Sequence, residues 1–195
     1  MKKLTERQEE IINTSIEIIS DKGIQNMTIK NLSKAIGISE PAIYRHFASK
    51  MDILLTILSK FENYIISDKE IQKDHESSPI KKLEGIFSYH FDHFEKNPAF
   101  AAVVFAEEIF RDDKRLSEKI STIMKRNFEM MLLIVNEGQA KKEIRNDIDG
   151  EQIVLLIMGG LRLVVKKWKL SNRSFNIKNE GKKLWRTLHK LISLT

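Results

Sequence analysis

Apolar residues in this chain recur at intervals of three and four, and no stretch of useful length alternates apolar with polar side chains as a half-buried strand does. That regularity disfavours sheet architectures and points to an all-α fold. Ile12, Ile16 and Ile19 form a first stripe, with Ile11 and Ile18 beside it, and Gly23 suits a helix C-cap. Thr28 can cap a second helix with Ile29, Leu32 and Ile36 inward. Gly37 supplies a tight turn. Ser39 then caps a short third helix, with Glu40 and Pro41 in its first turn, where an acid suits the dipole and proline loses no hydrogen bond. Ile43 and Phe47 are its buried pair. Ser49 opens a fourth helix, with Asp52 placed for a capping-box-like pair and Ile53, Leu54, Ile57, Leu58 and Phe61 as its stripe. Residues 67–79 are polar and aperiodic and read as a loop. Ser78-Pro79 starts a helix carrying Leu83, Phe87, His90, Phe91 and Phe94, which Asn97-Pro98 ends. A shorter one follows through Phe100, Val103, Val104 and Phe110. A long one runs from Leu116 through Ile120, Met124, Phe128 and Met131 to Val135, where Gly138 and the charged stretch to Asp147 are expected to break it. Asp149, with Gln152 three positions on, caps an eighth helix bearing Ile153, Leu156, Ile157, Gly160, Val164 and Trp168. The last carries Ile177, Leu184, Trp185, Leu188, Leu191 and Ile192. The sequence therefore predicts about nine helices.

Length and composition narrow the class further. A chain of 195 residues fits one domain, or a small one fused to a larger one. With 42% hydrophobic and 31% charged residues it reads as globular rather than disordered. It has no cysteine, which removes disulfides, thiolate metal sites and cysteine nucleophiles. The first residues lack the apolar core of a signal peptide, and the most apolar run, Ile153 to Leu161, is far short of the ~20 residues that span a bilayer. A cytoplasmic protein with no membrane contact is expected. The net charge of +6 permits nucleic-acid binding without demanding it. Its distribution is uneven. Residues 1–50 carry 8 Lys and Arg against 6 Asp and Glu, residues 51–110 carry 6 against 11, and residues 111–195 carry 19 against 10.

Chemistry concentrates in residues 28–52. Two short helices are joined by a glycine turn, with small residues, Ser33 and Ala35, where the helices must approach closely. That is a helix-turn-helix. A major groove about 12 Å wide admits the second helix with its N-terminal residues at the base edges. Ile43 and Phe47 point inward, leaving Ser39, Glu40, Ala42, Tyr44, Arg45 and His46 outside. Arg45 can donate in bidentate fashion to guanine, Tyr44 and His46 can reach phosphates, and Glu40 can accept from a cytosine amino group. Lys50 adds its charge to the dipole of the fourth helix, a pairing that suits a phosphate.

The string Ile-Gly-Ile-Ser-Glu-Pro-Ala-Ile-Tyr-Arg-His-Phe-Ala-Ser-Lys closely resembles the signature of TetR family regulators. Gly37, Ser39, Tyr44, His46, Phe47, Ser49 and Lys50 match it, as does Thr28 at the start of the second helix. Ser33 and Ile36 depart from it, standing where alanine is frequent, and Glu40 stands where a neutral or basic residue is also frequent. The resemblance implies a helix-turn-helix DNA-binding domain in residues 1–50 and a helical effector-binding and dimerisation domain in 51–195. It implies contacts to double-stranded DNA from Thr28, Lys30, Ser39, Glu40, Pro41, Ala42, Tyr44, Arg45, His46 and Lys50. It further implies a homodimer joined by its last two helices, for which Gly160, Leu161, Val164, Trp168, Leu184, Trp185 and Leu188 are candidates. A palindromic operator follows, together with a small-molecule effector that releases it. An alternative within the same fold is a DNA-bound scaffold that acts through a protein partner.

Phe87, His90, Phe91, Phe94, Phe105, Met124, Phe128 and Met131 are candidates for the effector pocket, set against ordinary core packing, which helical spacing also predicts. His90 and His93 have the spacing of two metal ligands, but no third is evident, so no metal and no cofactor is expected. Glu107 and Glu108 are adjacent on a helix and do not face one another, so they read as a solvated edge rather than an acid/base pair. Arg162, Lys166, Lys167, Lys169 and Arg173 form a basic cluster, read either as a solvated face or as a site for an anionic effector. No nucleophile–base pair and no phosphate-cradling loop is visible, so an enzyme is not expected.

Overall fold

The computed structural model describes residues 4–66, 77–104 and 113–194. Its helices are α1 (Glu6–Lys22), α2 (Ile29–Ile36), α3 (Glu40–Tyr44), α4 (Lys50–Ile66), α5 (Pro79–Lys96), α6 (Pro98–Val104), α7 (Lys114–Ala140), α8 (Gly150–Leu170) and α9 (Ile177–Ile192), with one 3₁₀ turn at Ile24–Asn26. No strand occurs among the described residues; the one β-bridge joins Ile144 to Ser193. Of the loop expected at 67–79, residues 67–76 lie outside the described residues, as do Phe105, Glu107, Glu108 and Phe110.

Two compact units emerge. The first contains α1–α4, α6 and the residues of α7 up to Thr122. Here α1 packs on α2, α4 and α6, and α2 packs on α3. Ile11, Ile12, Ile19, Leu32, Ile43, Ile53, Leu54 and Ala101 are almost wholly buried in it. The second contains α5, α7 from Ile123, α8 and α9, with α9 packed on both α5 and α8.

Helix ends follow local chemistry. Thr5 and Gln8 form a reciprocal capping box at the start of α1. Gly23 ends α1 at φ 79°, ψ 162°, a conformation nearly restricted to glycine, and its N–H donates to the Ile19 carbonyl. Asn97 separates α5 from α6, and Pro98 occupies the first position of α6, where its missing N–H costs nothing. The Asp149 carboxylate accepts from the Glu151 N–H at 2.7 Å to cap α8.

Gly138 does not break α7, which continues to Ala140. A Cβ at Gly138 would stand 2.6 Å from Ile144 Cδ1 and 3.2 Å from Pro79 Cβ. The glycine is there because the chain folds back against the helix. Gly181 plays a similar part on α9, where a Cβ would meet the Phe91 ring at 2.5 Å.

Candidate nucleic-acid interface

The turn between α2 and α3 is built by Gly37, in the left-handed region at φ 79°, ψ 29°. The Ser33 carbonyl accepts from the Gly37 N–H at 2.9 Å and from the Ile38 N–H at 3.1 Å, satisfying the end of α2 while the chain reverses. Ser33 is buried, with its hydroxyl donating to the Lys30 carbonyl at 2.9 Å. Ala35, expected beside it at the helix contact, is exposed instead; one small residue suffices for this approach.

α3 is a single turn and a half. Ile43 is fully buried and Phe47 nearly so, and each side chain removed from water contributes about 1.5–3 kcal/mol to holding the turn down. Ser39, Glu40, Pro41, Tyr44 and Arg45 are exposed, and Ala42 and His46 half-buried. Tyr44 keeps 51% of its surface in solvent although it is a large aromatic. Ser39 occupies the N-cap position, but its side chain makes no capping hydrogen bond. Backbone N–H groups of Ala42 and Ile43 reach its carbonyl at 3.0 and 3.4 Å. Its hydroxyl is therefore available to an outside acceptor. Thr28 does cap with its side chain, its Oγ1 accepting from the Asn31 N–H at 3.1 Å, and Lys30 is exposed on the first turn of α2.

Two sets of contacts support this edge, the first passed over by the sequence reading and the second, the Ser49–Asp52 cap, expected from it. The Gln8 amide donates to the His46 carbonyl at 3.3 Å, so the capped start of α1 supports the chain just after α3. The Thr5-x-x-Gln8 spacing was the available signal. Downstream, the Ser49 hydroxyl bonds Asp52 Oδ2 at 2.8 Å and accepts from the Asp52 N–H at 3.2 Å, which forms the start of α4. Asp52 Oδ1 in turn accepts from Arg115 at 3.0 Å, and Asp113 holds the same guanidinium in bidentate fashion at 2.8 and 3.1 Å. The Asp113 carboxyl is thereby held below its usual pKa and the Arg115 guanidinium raised above its own. Lys119 pairs with Glu62 one helical turn further along α7. Lys50, at the first position of α4, is half-buried, and burial lowers its pKa. An incoming phosphate would return the favourable charge environment that burial withdrew.

The candidates for effector pocket and subunit contact are placed differently. Phe87, His90, Phe91 and Phe94 are buried, with Phe87 edge-on to Phe91 at 5.1 Å and tilted against Trp185 at 5.4 Å. Met131 is buried and Phe128 half-buried, while Met124 is 45% exposed and does not line a closed interior in this state. Trp168, Trp185 and Leu188 are buried within one chain, so they cannot supply the outer surface of a subunit contact. Leu161, Val164 and Leu184 are half-buried, and Gly160 packs against Leu184 of the same chain, where a Cβ would stand 3.1 Å away. What α8 does expose is Leu155, Leu156, Gly159, Leu163 and Leu170, and α9 exposes Leu191. The second unit also carries a shallow dent lined by Ser88, Phe91, Asp92, Lys178, Gly181 and Lys182, with about 20 Å³ of space, room for one water molecule. Lys178 closes it by pairing with Asp92 at 2.8 Å. No described helix is long and apolar enough to cross a membrane, and no cluster of three metal-ligating side chains occurs among the described residues.

Comparison with known proteins agrees with this arrangement. Residues 11–57 match the family described as bacterial regulatory proteins, tetR family, and residues 58–192 match the YsiA-like protein, C-terminal region. The chain belongs to the TetR family and is a DNA-binding transcription regulator. It is 23% identical over 177 residues to a fatty acid metabolism regulator protein of Bacillus subtilis, covering 91% of each chain. It is 26% identical over 168 residues to the HTH-type transcriptional repressor KstR2 of Mycolicibacterium smegmatis, covering 84% of this chain and 80% of that one. Among solved structures, the regulator FadR from Bacillus subtilis in complex with stearoyl-CoA superimposes with a TM-score of 0.76 at 22% identity, covering 92% of this chain and 96% of that one.

Proposed function

We propose that the protein is a homodimeric, cytoplasmic repressor that occupies a palindromic operator and leaves it when a small molecule with a long apolar tail binds the second unit. The observation that carries the DNA half is the exposed edge of α3: Ser39, Glu40, Tyr44 and Arg45 stand in solvent above a buried Ile43 and Phe47. Arg45 reads guanine; Tyr44, His46 and Lys50, with Thr28 and Lys30, hold phosphates. Subunits join through the exposed stripe Leu156, Gly159 and Leu163 on α8 with the exposed Leu191 and the half-buried Leu184 on α9, an apolar surface that is costly to leave in water.

The effector half is supported by FadR, which holds stearoyl-CoA on the same fold. In the present state Phe87, Phe91 and Trp185 are packed on one another, so an acyl chain that uses this core must select a state in which they part. It shifts the population only as far as it prefers that state.

Gel shifts with the protein's own upstream DNA, followed by titration with stearoyl-CoA, test both halves. The expected result is a shifted palindrome, released on addition of the acyl-CoA, with a concurrent change in the fluorescence of Trp185. A protein that shifts no duplex from that region contradicts the DNA half; a complex untouched by acyl-CoAs of any chain length contradicts the effector half.

A further inference from the structure

From Arg162 to Lys190 the chain carries ten Lys and Arg and a single acid, Glu180. Elsewhere its exposed helix faces balance their charges at i,i+4: Lys114 with Glu118, Lys125 with Glu129 and Glu137 with Lys141, all on α7. On α9 the i,i+4 neighbours are instead alike. Lys178, Lys182, Arg186 and Lys190 form one row, and like charges at this spacing repel. Lys178 is engaged by Asp92 and Glu95. Lys182, Arg186 and Lys190 are exposed and have no hydrogen-bonding or ionic partner among the described residues.

Helical geometry sets this row apart from the apolar flank. Gly181, Trp185, Leu188 and Ile192 form the buried side of α9, Leu184, Thr187 and Leu191 lie to one side of it, and the cationic row lies to the other. A subunit contact through the leucine flank leaves the row open. Its members stand about 6 Å apart along the axis, at a rise of about 1.5 Å per residue.

We propose that Lys182, Arg186 and Lys190 form a second, sequence-independent contact for the phosphate backbone of duplex DNA, separate from the reading edge of α3. The surroundings select this occupant. A protein partner needs a desolvated core of aromatic or apolar side chains and disfavours lysine, and the row is bordered by Asn179, Lys183 and His189. A membrane surface needs an apolar helix face to insert; the apolar side of α9 is buried in its own chain, and the leucine flank is taken up by the proposed subunit contact. Flexible cations in a hydrated line suit a polyanion whose charges repeat regularly.

The inference rests on the DNA-binding class of the protein but not on its operator. The test measures binding of the full chain to a short random-sequence duplex as salt is varied. Lys182→Gln/Arg186→Gln/Lys190→Gln should weaken that binding and flatten the log–log salt dependence by about 2.7 for three lost phosphate contacts. Lys182→Arg/Lys190→Arg should keep the slope. Tyr44→Ala/Arg45→Ala should abolish preference for the operator while leaving the row's share of random-duplex binding to be removed by the triple change. Unchanged affinity and slope in a triple variant whose circular dichroism and melting temperature match the wild type would overturn the proposal. So would binding of polyglutamate by the row with no effect on DNA. Failure to find an operator, with the row's effect intact, leaves this inference standing and counts against the repressor reading alone.

Discussion

The α3 edge and the aromatic packing between α5 and α9 stand at opposite ends of a scale of readiness. α3 is short, its two anchors are buried, and its polar side chains already stand in water, held by Gln8 at one end and by the start of α4 at the other. As proposed above, a duplex would find these side chains already in solvent. Between α5 and α9, Phe87, Phe91 and Trp185 fill one another's space and Gly181 seats the Phe91 ring. Any ligand there competes with a close-packed interior. The difference teaches that the same chain presents one set of side chains ready-made and keeps another shut by close packing.

The largest expected effect breaks the closed side. Phe87→Ala removes a buried ring from between Phe91 and Trp185 and should cost about 3–5 kcal/mol of stability, read by denaturant unfolding. Operator affinity of the folded fraction should change little. A loss of affinity as large as the loss of stability would show that the two regions are not separable.

A comparable effect comes from acid. Burial lowers the His90 pKa to about 4, with a smaller push from His93, and burial followed by Lys96 lowers His93 to about 4. Both bases are neutral in the folded chain near pH 6, whereas the unfolded chain binds protons at its ordinary histidine pKa. Stability is therefore full above about pH 6.5 and declines as pH falls towards 4, by on the order of 3 kcal/mol for His90. Unfolding curves at pH 7, 6, 5 and 4.5 should show this slope, and His90→Leu should flatten it. Equal slopes in both proteins would remove His90 from the account.

On the open side the effects are smaller and distinguishable in kind. Arg45→Ala should cost about 1–3 kcal/mol at particular operator bases. Tyr44→Ala and Lys50→Ala should weaken binding to all sequences alike. Competition with operators altered one base pair at a time separates the two classes; uniform loss for Arg45→Ala would assign it to the backbone instead.

These regions also differ in how far the sequence revealed them. For α3, the glycine turn, the proline in the first turn and the spacing of Ile43 and Phe47 specify an inside and an outside within ten residues, and the structure places Tyr44 and Arg45 accordingly. For α8 and α9, periodicity identified the buried stripe but not what buries it. Trp168, Trp185 and Leu188 read as subunit contact, yet neighbours in the same chain cover them, while Leu155 and Leu163 stand outside. Gly138 carried two physical meanings, helix breaker and close approach. Only the return of Ile144 against it, some six residues later, distinguishes them.

The smallest expected effect sharpens the boundary of the open side. Arg115 ties Asp52 to Asp113, but it is more than half exposed, and exposed ion pairs contribute little. If the start of α4 is held by its own Ser49–Asp52 cap, Arg115→Gln should leave operator affinity within about twofold and sequence preference unchanged. Ser49→Ala, which removes the cap itself, should cost about 1 kcal/mol of stability and disturb the placement of Lys50. Measuring both variants by anisotropy on operator and random duplexes orders the two supports. If Arg115→Gln proves the more damaging, α7 rather than the local cap positions Lys50, and the α3 edge depends on a helix that no sequence motif connects with it.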